Sequence, residues 1–560
     1  VTPPKSNVEW ASRLDDDIYV MLGSGKPPTS YRTFTPGDAN GWIGVARLPA
    51  GTDLDGAGKS MTDLRTLMRR GLAPLDAATR MHVVTFIAEA AQSEASGPSQ
   101  ELSECLYRLR EGLRERLPHG VGDASGTRGL FAEQLLRIDE RSFYVKGWMH
   151  DEEADIVRVT ITSPEGSRVE LHDRLSRHLR PDVAQFFSDG WPAEKHGFAC
   201  FFELDAPSIR HGGWIMEMEN ADGTALETQV PAPTEDLSAV RAVLLDETTR
   251  DPVPNELLMA EHVHPAMARI QVKVEKSARI ETVLSYGDPP ADPTVSIVVP
   301  LYQQIDHVES QLAEFVHDPE FGQADLIYVL DSPEDAQRLQ HVASYLSQIY
   351  PIPFRIAVLE QNVGFTGANN AGASLARGRL LLLLNSDVLP DRPGWLGTMV
   401  DFYDSKPDIG ALGVKLLYED ETIQHAGMYF YQPPNSTMWA DAHYFKGFHR
   451  TFPDANVPRA VLGISGACMM IARDLYEELG GLSGKFVRGD YEDFDICMQL
   501  IDKGRANWYL PTAELYHLEG QSYSPSVRIP ANTYNVWLHT HLWGKKIAEL
   551  MQAGEQQPSS

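Results

Sequence analysis

Gly378–Leu389 reads GRLLLLLNSDVL. Five consecutive leucines, Leu380 to Leu384, run directly into Asn385-Ser386-Asp387. An apolar run this short, closed by polar residues, is the pattern of a strand buried on both faces of a parallel sheet. Such a strand carries its terminal polar residues to the carboxyl edge of the sheet, where open α/β sheets bind ligands. The stretch predicts a carboxylate, Asp387, at the mouth of a nucleotide-type cleft. A solvated turn after a strand has the same local pattern, so the flanking segments decide.

Working outward, strand and helix alternate from Pro293. Val295–Pro300 reads as strand, then helix over about Asp306–His317. Leu326–Leu330 reads as strand, then helix over Pro333–Tyr350. Phe354–Leu359 reads as strand, then helix over Gly364–Arg377, and then the leucine strand. This alternation predicts βαβ crossovers and a mostly parallel sheet. Each strand ends in residues suited to a site. The first runs into Pro300-Leu301-Tyr302 and the second into Asp331. The third runs into NVGFTGANNAG, Asn362–Gly372, which opens a helix whose free N–H groups favour an anion. One glycine-rich helix start is a weak signal; four strand ends meeting at one edge are a stronger one.

On the carboxyl side, Val461–Ile471 reads as a strand and turn. In Gly489–Asp495, GDYEDFD, the residues Phe494, Cys497, Met498 and Ile501 make one helical face. Glu492 and Asp493 therefore stand at a helix start, where the dipole alone also favours acids. His517 follows the strand Asn507–Leu510 and the stretch Pro511–Tyr516. Residues 526–551, with Tyr534, Trp537, Leu538 and Trp543, predict an amphipathic C-terminal helix, its first role core packing.

The N-terminal half reads differently. Residues 1–58 are rich in Pro, Gly, Asp and Thr and predict loops with a few short strands. Gly58-Lys59-Ser60 is not a phosphate loop, because Asp53 stands where that motif needs a glycine and no apolar strand precedes it. Residues 60–118 have helical periodicity, in Leu64, Leu67 and Met68, in Met81, Val84, Ile87 and Ala88, and in Leu102, Cys105, Leu106 and Leu109. Gly120–Gly129 is a flexible joint. Between about 135 and 230, short strands alternate with turn signals, predicting an antiparallel β-sandwich. Trp148, Trp191 and Trp214 are its candidate sugar contacts, against the plainer reading of a structural module with buried tryptophans. Pro231-Ala232-Pro233 opens a connector expected to be helical over Thr234–Glu247 and Asn255–Glu275.

Composition narrows the function. At 560 residues the chain has room for about three or four domains. Its 49 Lys and Arg against 78 Asp and Glu give a net charge of −29, a poor match to nucleic acid. The four cysteines are scattered with no CxxC pair, which suits a reducing compartment and gives no disulfide or zinc framework. No run approaches the roughly 20 apolar residues that span a bilayer. The start at Val1, without a signal-peptide pattern, is expected of a processed or shortened chain. Asn435-Ser436-Thr437 fits a glycosylation acceptor but reads as a loop.

Ser296–Tyr302, Asp331, Asn362–Gly372, Asn385–Asp387 and Tyr491-Glu492-Asp493, in this order and spacing, resemble the signature series of family 2 glycosyltransferases with the GT-A fold. The resemblance covers about residues 293–525, and NVGFTGANNAG resembles the rhamnosyltransferase and galactofuranosyltransferase-like branch. It implies that Pro300, Tyr302 and Asp331 surround the nucleobase and ribose, with Asp331 accepting from the base imide N–H. It implies that Asn362, Gly367 and Asn370 line the nucleotide-sugar pocket. The family's D-x-D motif falls on Asn385-Ser386-Asp387; Asn385 departs from it and retains hydrogen bonding to a ribose hydroxyl. Asp387 stays as the acidic metal ligand, and His517, followed by Leu518-Glu519-Gly520, matches the histidine that completes the site for Mg²⁺ or Mn²⁺. Asp493 matches the catalytic base, and Glu492 the residue that orients the acceptor.

The expected organisation is an irregular then helical region (1–120), a β-sandwich module (130–230), a helical connector (231–292), a Rossmann-like GT-A α/β domain (293–525) and a C-terminal helix and tail (526–560). The expected function is an inverting glycosyltransferase. It moves a sugar from a nucleotide-diphosphate donor, UDP- or dTDP-linked first, to a glycan or glycolipid acceptor in bacterial surface polysaccharide synthesis. The expected location is cytoplasmic, with peripheral contact at the inner membrane face left open. A nucleotidyltransferase would need a glycine-rich basic loop after the first strand, and Leu301–Asp306, LYQQID, stands there instead. The non-enzymatic alternative is a sugar-binding or scaffold protein with a degenerate transferase domain.

Overall fold

The short, turn-punctuated runs between about 128 and 229 fold into antiparallel sheets. A computed structural model describes residues 8–13, 18–24, 32–34, 41–47, 77–92, 106, 121–122, 128–151, 155–185, 196–249, 255–518 and 525–555. The chain divides into two compact units, Val1–Leu244 with Asn255–Ala266, and Leu245–Pro254 with Met267–Ser560.

In the first unit, β1 (Val8–Arg13), β2 (Ile18–Ser24), β3 (Arg32–Phe34) and β4 (Gly41–Arg47) form a sheet in the order β1-β2-β4-β3. Helix α1 (Ala77–Gln92) carries Val84, Ile87 and Ala88 on its buried side. The helical segments expected around Leu64–Met68 and Leu102–Leu109 lie outside the described residues, Leu106 excepted. There follow β5 (Val121–Gly122), β6 (Arg128–Arg137), β7 (Ser142–Asp151), β8 (Ile156–Thr162), β9 (Arg168–Glu170), β10 (Ser176–His178), β11 (Gly197–Glu203), β12 (Ile215–Asn220) and β13 (Ala225–Gln229). They make two antiparallel sheets, β10-β11-β7-β6-β5 and β13-β12-β8-β9. Residues of both sheets, including Phe143, Val145, Ile161, Phe202, Trp214 and Met216, share one apolar cluster. Trp214 is fully buried, its ring 4.7 Å from that of Phe143, so it is a core residue and not a sugar contact. Trp148 is half-buried against Phe131, and Trp191 lies outside the described residues.

Helices α2 (Leu237–Thr248) and α3 (His264–Lys276) lead into the second unit. Its strands are β14 (Ile280–Tyr286), β15 (Val295–Leu301), β16 (Asp325–Leu330), β17 (Phe354–Leu359), β18 (Leu380–Leu384), β19 (Val388–Pro390), β20 (Ile409–Leu417), β21 (Ile423–His425), β22 (Met428–Tyr431), β23 (Ala440–His443), β24 (Arg459–Val461), β25 (Cys468–Ala472) and β26 (Ala506–His517). Its helices are α4 (His307–Phe315), α5 (Ala336–Ile349), α6 (Gly364–Ala373), α7 (Trp395–Asp404), α8 (Arg473–Leu479), α9 (Glu492–Asp502) and α10 (Pro525–Glu555). The main sheet runs β14-β17-β16-β15-β18-β25-β20-β26-β19. The four strands from β17 to β18 are mutually parallel, as the strand–helix alternation predicts. β14 pairs antiparallel with β17, and β25 antiparallel with β18.

Two elements differ from the sequence expectation. The connector contains β14, an edge strand with mostly exposed side chains, whose Ile280, Leu284 and Tyr286 are only partly buried against the core and give a weak pattern. β26 continues through Pro511; its register against β20 slips between Val414 and Lys415, opposite that proline, which donates no ladder hydrogen bond. The leucine run is strand β18 as predicted, each leucine at most 1 % exposed. Leu380, Leu382 and Leu384 enter one apolar cluster, and Leu381 and Leu383 enter another. Burial on both faces stabilises the fold by about 1.5–3 kcal/mol per leucine.

Candidate active site

The chain leaves β15 for β16 and β17 on one side, then returns to place β18 on the other side of β15. This reversal opens a crevice at the carboxyl ends of β15 and β18. β15 delivers Pro300 and then Tyr302, which is half-buried. β16 delivers Asp331, whose N–H donates to Leu301 O at 2.8 Å. Asp331 Oδ1 accepts from Val363 N at 2.7 Å, and Oδ2 from Gly364 N at 2.8 Å and Asn362 Nδ2 at 3.1 Å. One lone pair on Oδ1 stays open for a base N–H. Burial outweighs these bonds and pushes the Asp331 carboxyl up to about 7.

Asn362 thus braces Asp331 from the start of α6. Gly367 and Asn370, expected to line the pocket, are accounted for by packing. A Cβ on Gly367 would sit 2.6 Å from Val363 Cγ2. The Asn370 amide spans the Leu482 backbone, accepting from its N–H at 3.0 Å and donating to its carbonyl at 2.8 Å.

β18 delivers Asn385, Ser386 and Asp387, all half-buried. Asn385 Oδ1 is buried and accepts no hydrogen bond, so it stands open to a donor such as a hydroxyl. Ser386 Oγ lies 3.3 Å from His307 Nδ1. The turn is fixed from beneath by Gln311, which sequence reasoning passed over. Its Nε2 donates to Asn385 O at 2.9 Å and Val388 O at 3.1 Å. Its signal was a polar residue among Val308, Leu312 and Phe315 on the buried face of α4.

β19 pairs antiparallel with the end of β26, and Val388 opposite His517 brings His517 beside Asp387. His517 Nε2 lies 3.4 Å from Asp387 Oδ1, while Nδ1 is 2.6 Å from Gln424 Oε1. Gln424 Oε1 thus faces Nδ1, and Nε2 is turned towards the Asp387 carboxylate. That arrangement fits a cation between the two, with Gln424 orienting the ligand from behind. Burial raises the Asp387 carboxyl, but the adjacent His517 outweighs it and holds the group below its ordinary value.

Among the described residues, the group of three metal-type side chains lies elsewhere, in the first unit: His82, Glu217 and Glu227. Glu217 and Glu227 face each other across β12 and β13. His82 Nε2 lies 3.1 Å from the first and 2.9 Å from the second, and Arg168 donates to Glu217 at 2.6 Å. The two carboxylates hold the His82 imidazole protonated, raising it to about 10 against burial. His82 and Arg168 place positive charge against the two carboxylates.

The acids reach the crevice through β25. Leu384 pairs with Cys468, and Asn385 N donates to Ala467 O at 2.9 Å. One residue earlier, Gly466 N donates to Asp493 Oδ2 at 3.0 Å, and Asp493 Oδ1 caps its own helix through Phe494 N at 2.8 Å. The donor-side turn and the acid are joined by one short piece of backbone. Asp493 is half-buried, whereas Glu492 points inward and is 3 % exposed. Burial raises both carboxyls, and each neighbouring negative charge adds to the rise in Glu492, whose Oε2 has no donor. Burial and the neighbouring acids favour the protonated form of Glu492, whose side chain lies in the interior.

The turn into α9 is left-handed over four consecutive residues: Arg488 (φ 64°), Gly489 (86°), Asp490 (71°) and Tyr491 (78°). Such backbone at a non-glycine residue costs about 1–3 kcal/mol and persists where surroundings enforce it. The Tyr491 hydroxyl donates to Asp441 Oδ1 at 2.8 Å, tying the turn to β23.

This crevice lies in a segment with known relatives. Residues 296–480 match the model of glycosyl transferase family 2. The segment is similar to family 2 glycosyltransferase domains. The chain is 28% identical over 234 residues to the uncharacterized protein y4gI of Sinorhizobium fredii, covering 41% of this chain and 25% of that protein. It is 23% identical over 482 residues to the O-antigen biosynthesis protein RfbC of Myxococcus xanthus, covering 75% of this chain and 36% of that protein. It thus spans 25% and 36% of the length of these curated relatives. Among solved structures, GalNAc-T7 with UDP, GalNAc and Mn²⁺ is similar at 14% identity and a TM-score of 0.36, covering 46% of this chain and 50% of that one. The mannosyltransferase PcManGT from Pyrobaculum calidifontis with GDP-Man and Mn²⁺ is similar at 12% identity and a TM-score of 0.31, covering 57% and 91%. The family match ends at residue 480, and His517 and the acids of α9 lie beyond it. No helix among the described residues is long and apolar enough to cross a membrane.

Proposed function

We propose that the chain is an inverting glycosyltransferase that moves a sugar from a nucleotide-diphosphate donor to an acceptor hydroxyl, in the GT-A manner. The observation that carries this reading is the short backbone bridge between the Asn385–Asp387 turn and Asp493. It sets donor-binding groups and an open carboxylate side by side at a sheet crevice. Asp331 and Tyr302 receive the nucleobase, and Asn385 the ribose. Asp387 and His517 would hold a divalent ion, Mg²⁺ or Mn²⁺, which when bound offsets the charge of a departing diphosphate.

Asp493 takes the proton of the acceptor hydroxyl as that oxygen attacks the anomeric carbon from the face opposite the nucleotide. The new C–O bond forms while the bond to the diphosphate breaks, and the nucleotide leaves with that electron pair. A raised pKa suits this role, because a base is most effective near the working pH. Similarity to an O-antigen biosynthesis protein supports surface polysaccharide or glycolipid as the acceptor class. The chain's own charge and helices agree with work at the cytoplasmic face.

Calorimetric titration with UDP, dTDP, GDP and CMP, with and without Mn²⁺, tests the donor half. One nucleotide binding tightly in a metal-dependent way is the expected result. Metal-independent binding removes Asp387 and His517 as an ion site. No binding by any of the four removes the transferase reading and leaves a scaffold.

A further inference from the structure

The left-handed turn that presents Asp493 is enforced from outside, and its support comes from α10, far beyond the family match. Asn535 on α10 is fully buried. Its Nδ2 faces three carbonyls, Val487 O at 3.1 Å, Gly489 O at 2.9 Å and Asp490 O at 3.0 Å. Its Oδ1 accepts from Val487 N at 2.9 Å. One amide therefore satisfies the backbone of the strained turn, in which left-handed geometry turns successive carbonyls towards a single donor group.

The next two positions at a spacing of four lie on the same stripe of α10. His539 is buried with its ring 5.2 Å from Tyr491 and 5.8 Å from Phe494. Trp543 Nε1 donates to Asp495 Oδ1 at 2.7 Å. Beside them, Thr540 Oγ1 accepts from Trp439 N at 2.9 Å, in the segment that joins β22 to β23. Asn535, His539 and Trp543 thus meet the turn, the first residues of α9 and the helix just beyond them. General packing does not ask for this: apolar side chains at the same positions would bury equal area while leaving four polar backbone groups of the turn unpaired.

We propose that α10 belongs to the catalytic apparatus, with Asn535 a positioning residue that holds Arg488–Tyr491 left-handed and so aims Asp493 at the acceptor. This rests on the transferase reading above and assigns the C-terminal helix a function besides core packing.

The test uses the full chain and the variants Asn535→Leu, which keeps the branching and the number of heavy atoms though its methyls are bulkier, and Trp543→Phe, which keeps an aromatic ring and loses the N–H. Two readouts apply: steady-state transfer, and hydrogen exchange of the amides around Gly489–Asp493. For Asn535→Leu the expected result is exchange at that turn at least tenfold faster, with protection in β15–β18 unchanged. Its kcat falls about 100-fold at unchanged donor KM, and nucleotide affinity is retained. A merely structural role would lower the melting temperature and leave kcat in place, and that result overturns the proposal. If Asn535→Leu does not fold, Trp543→Phe decides, with an expected fall in kcat of about tenfold at unchanged donor KM; unchanged kcat overturns it. Asp493→Asn separates the two levels. An active Asp493→Asn sinks the base assignment, whereas an inactive Asp493→Asn beside a normal Asn535→Leu sinks only the clamp. If the wild type transfers nothing, the exchange readout still decides whether Asn535 holds the turn.

Discussion

Glu492 and Asp493 are adjacent in sequence, yet only Asp493 has a surface to offer an acceptor. Asp493→Asn removes the base and keeps only one of the two backbone bonds, from Gly466 N or from Phe494 N, because its NH2 group cannot accept. Transfer should fall by about 10²–10⁴ while nucleotide affinity stays within a factor of about two; single-turnover transfer and calorimetry check the two halves. The pH dependence has a definite sign. Burial raises Asp493 to about 7, and a base works ionised, so kcat/KM should climb as pH rises through about 7 and then level off. Asp331 rises to about 7 for the same reason. Any pH dependence of nucleotide affinity over that window should therefore persist in Asp493→Asn and disappear in Asp331→Asn. At this scale the strand-end and helix-start acids were legible because their positions follow from local pattern. Gln311, Gln424 and Asn535 were not. Each acts through bonds to residues 74, 93 and 48 positions away, and such pairings leave no periodic trace.

The strand–helix alternation located β15 to β18 and α4 to α6 to within a few residues, because buried parallel strands are nearly pure apolar runs. β14 was hidden by the opposite property, an exposed face. Helix α6 shows how closely these elements approach. A Cβ on Gly372 would sit 2.4 Å from Val298 Cγ1 and 2.7 Å from Val329 Cγ2. Gly372→Ala should push α6 off β15 and β16, destabilising the domain by about 1–3 kcal/mol in a urea titration. Because α6 begins at the Asp331 brace, nucleotide affinity should fall with it. Leu382→Ala, by contrast, opens a cavity in the sheet and should cost about 2–5 kcal/mol without changing donor KM in the molecules that remain folded.

The molecule as a whole has two cores, and the sequence divides in character at the same place, from turn-punctuated short strands to strand–helix alternation. Their pH responses should separate. In the first unit, His82 gains its proton partners only on folding, its folded value standing near 10 against an ordinary 6.5. The stabilisation is fully present below about 6.5, and is lost as pH rises through about 10. In calorimetric scans His82→Gln should lower one melting transition at pH 7 and leave it unchanged above pH 10, with the transferase transition unaffected at both.

The bridge Asn385–Ala467–Gly466–Asp493 has a consequence for how such a chain diversifies. In the proposed reaction, the spacing between the nucleotide and the base is written in two hydrogen bonds to adjacent residues of the turn that enters β25. Loops that take no part in those two bonds lie outside that spacing. Those loops are free to lengthen, shorten or exchange side chains from one relative to another, and the reacting atoms keep their separation. Acceptor preference can therefore drift over evolutionary time while the chemical step is inherited unchanged.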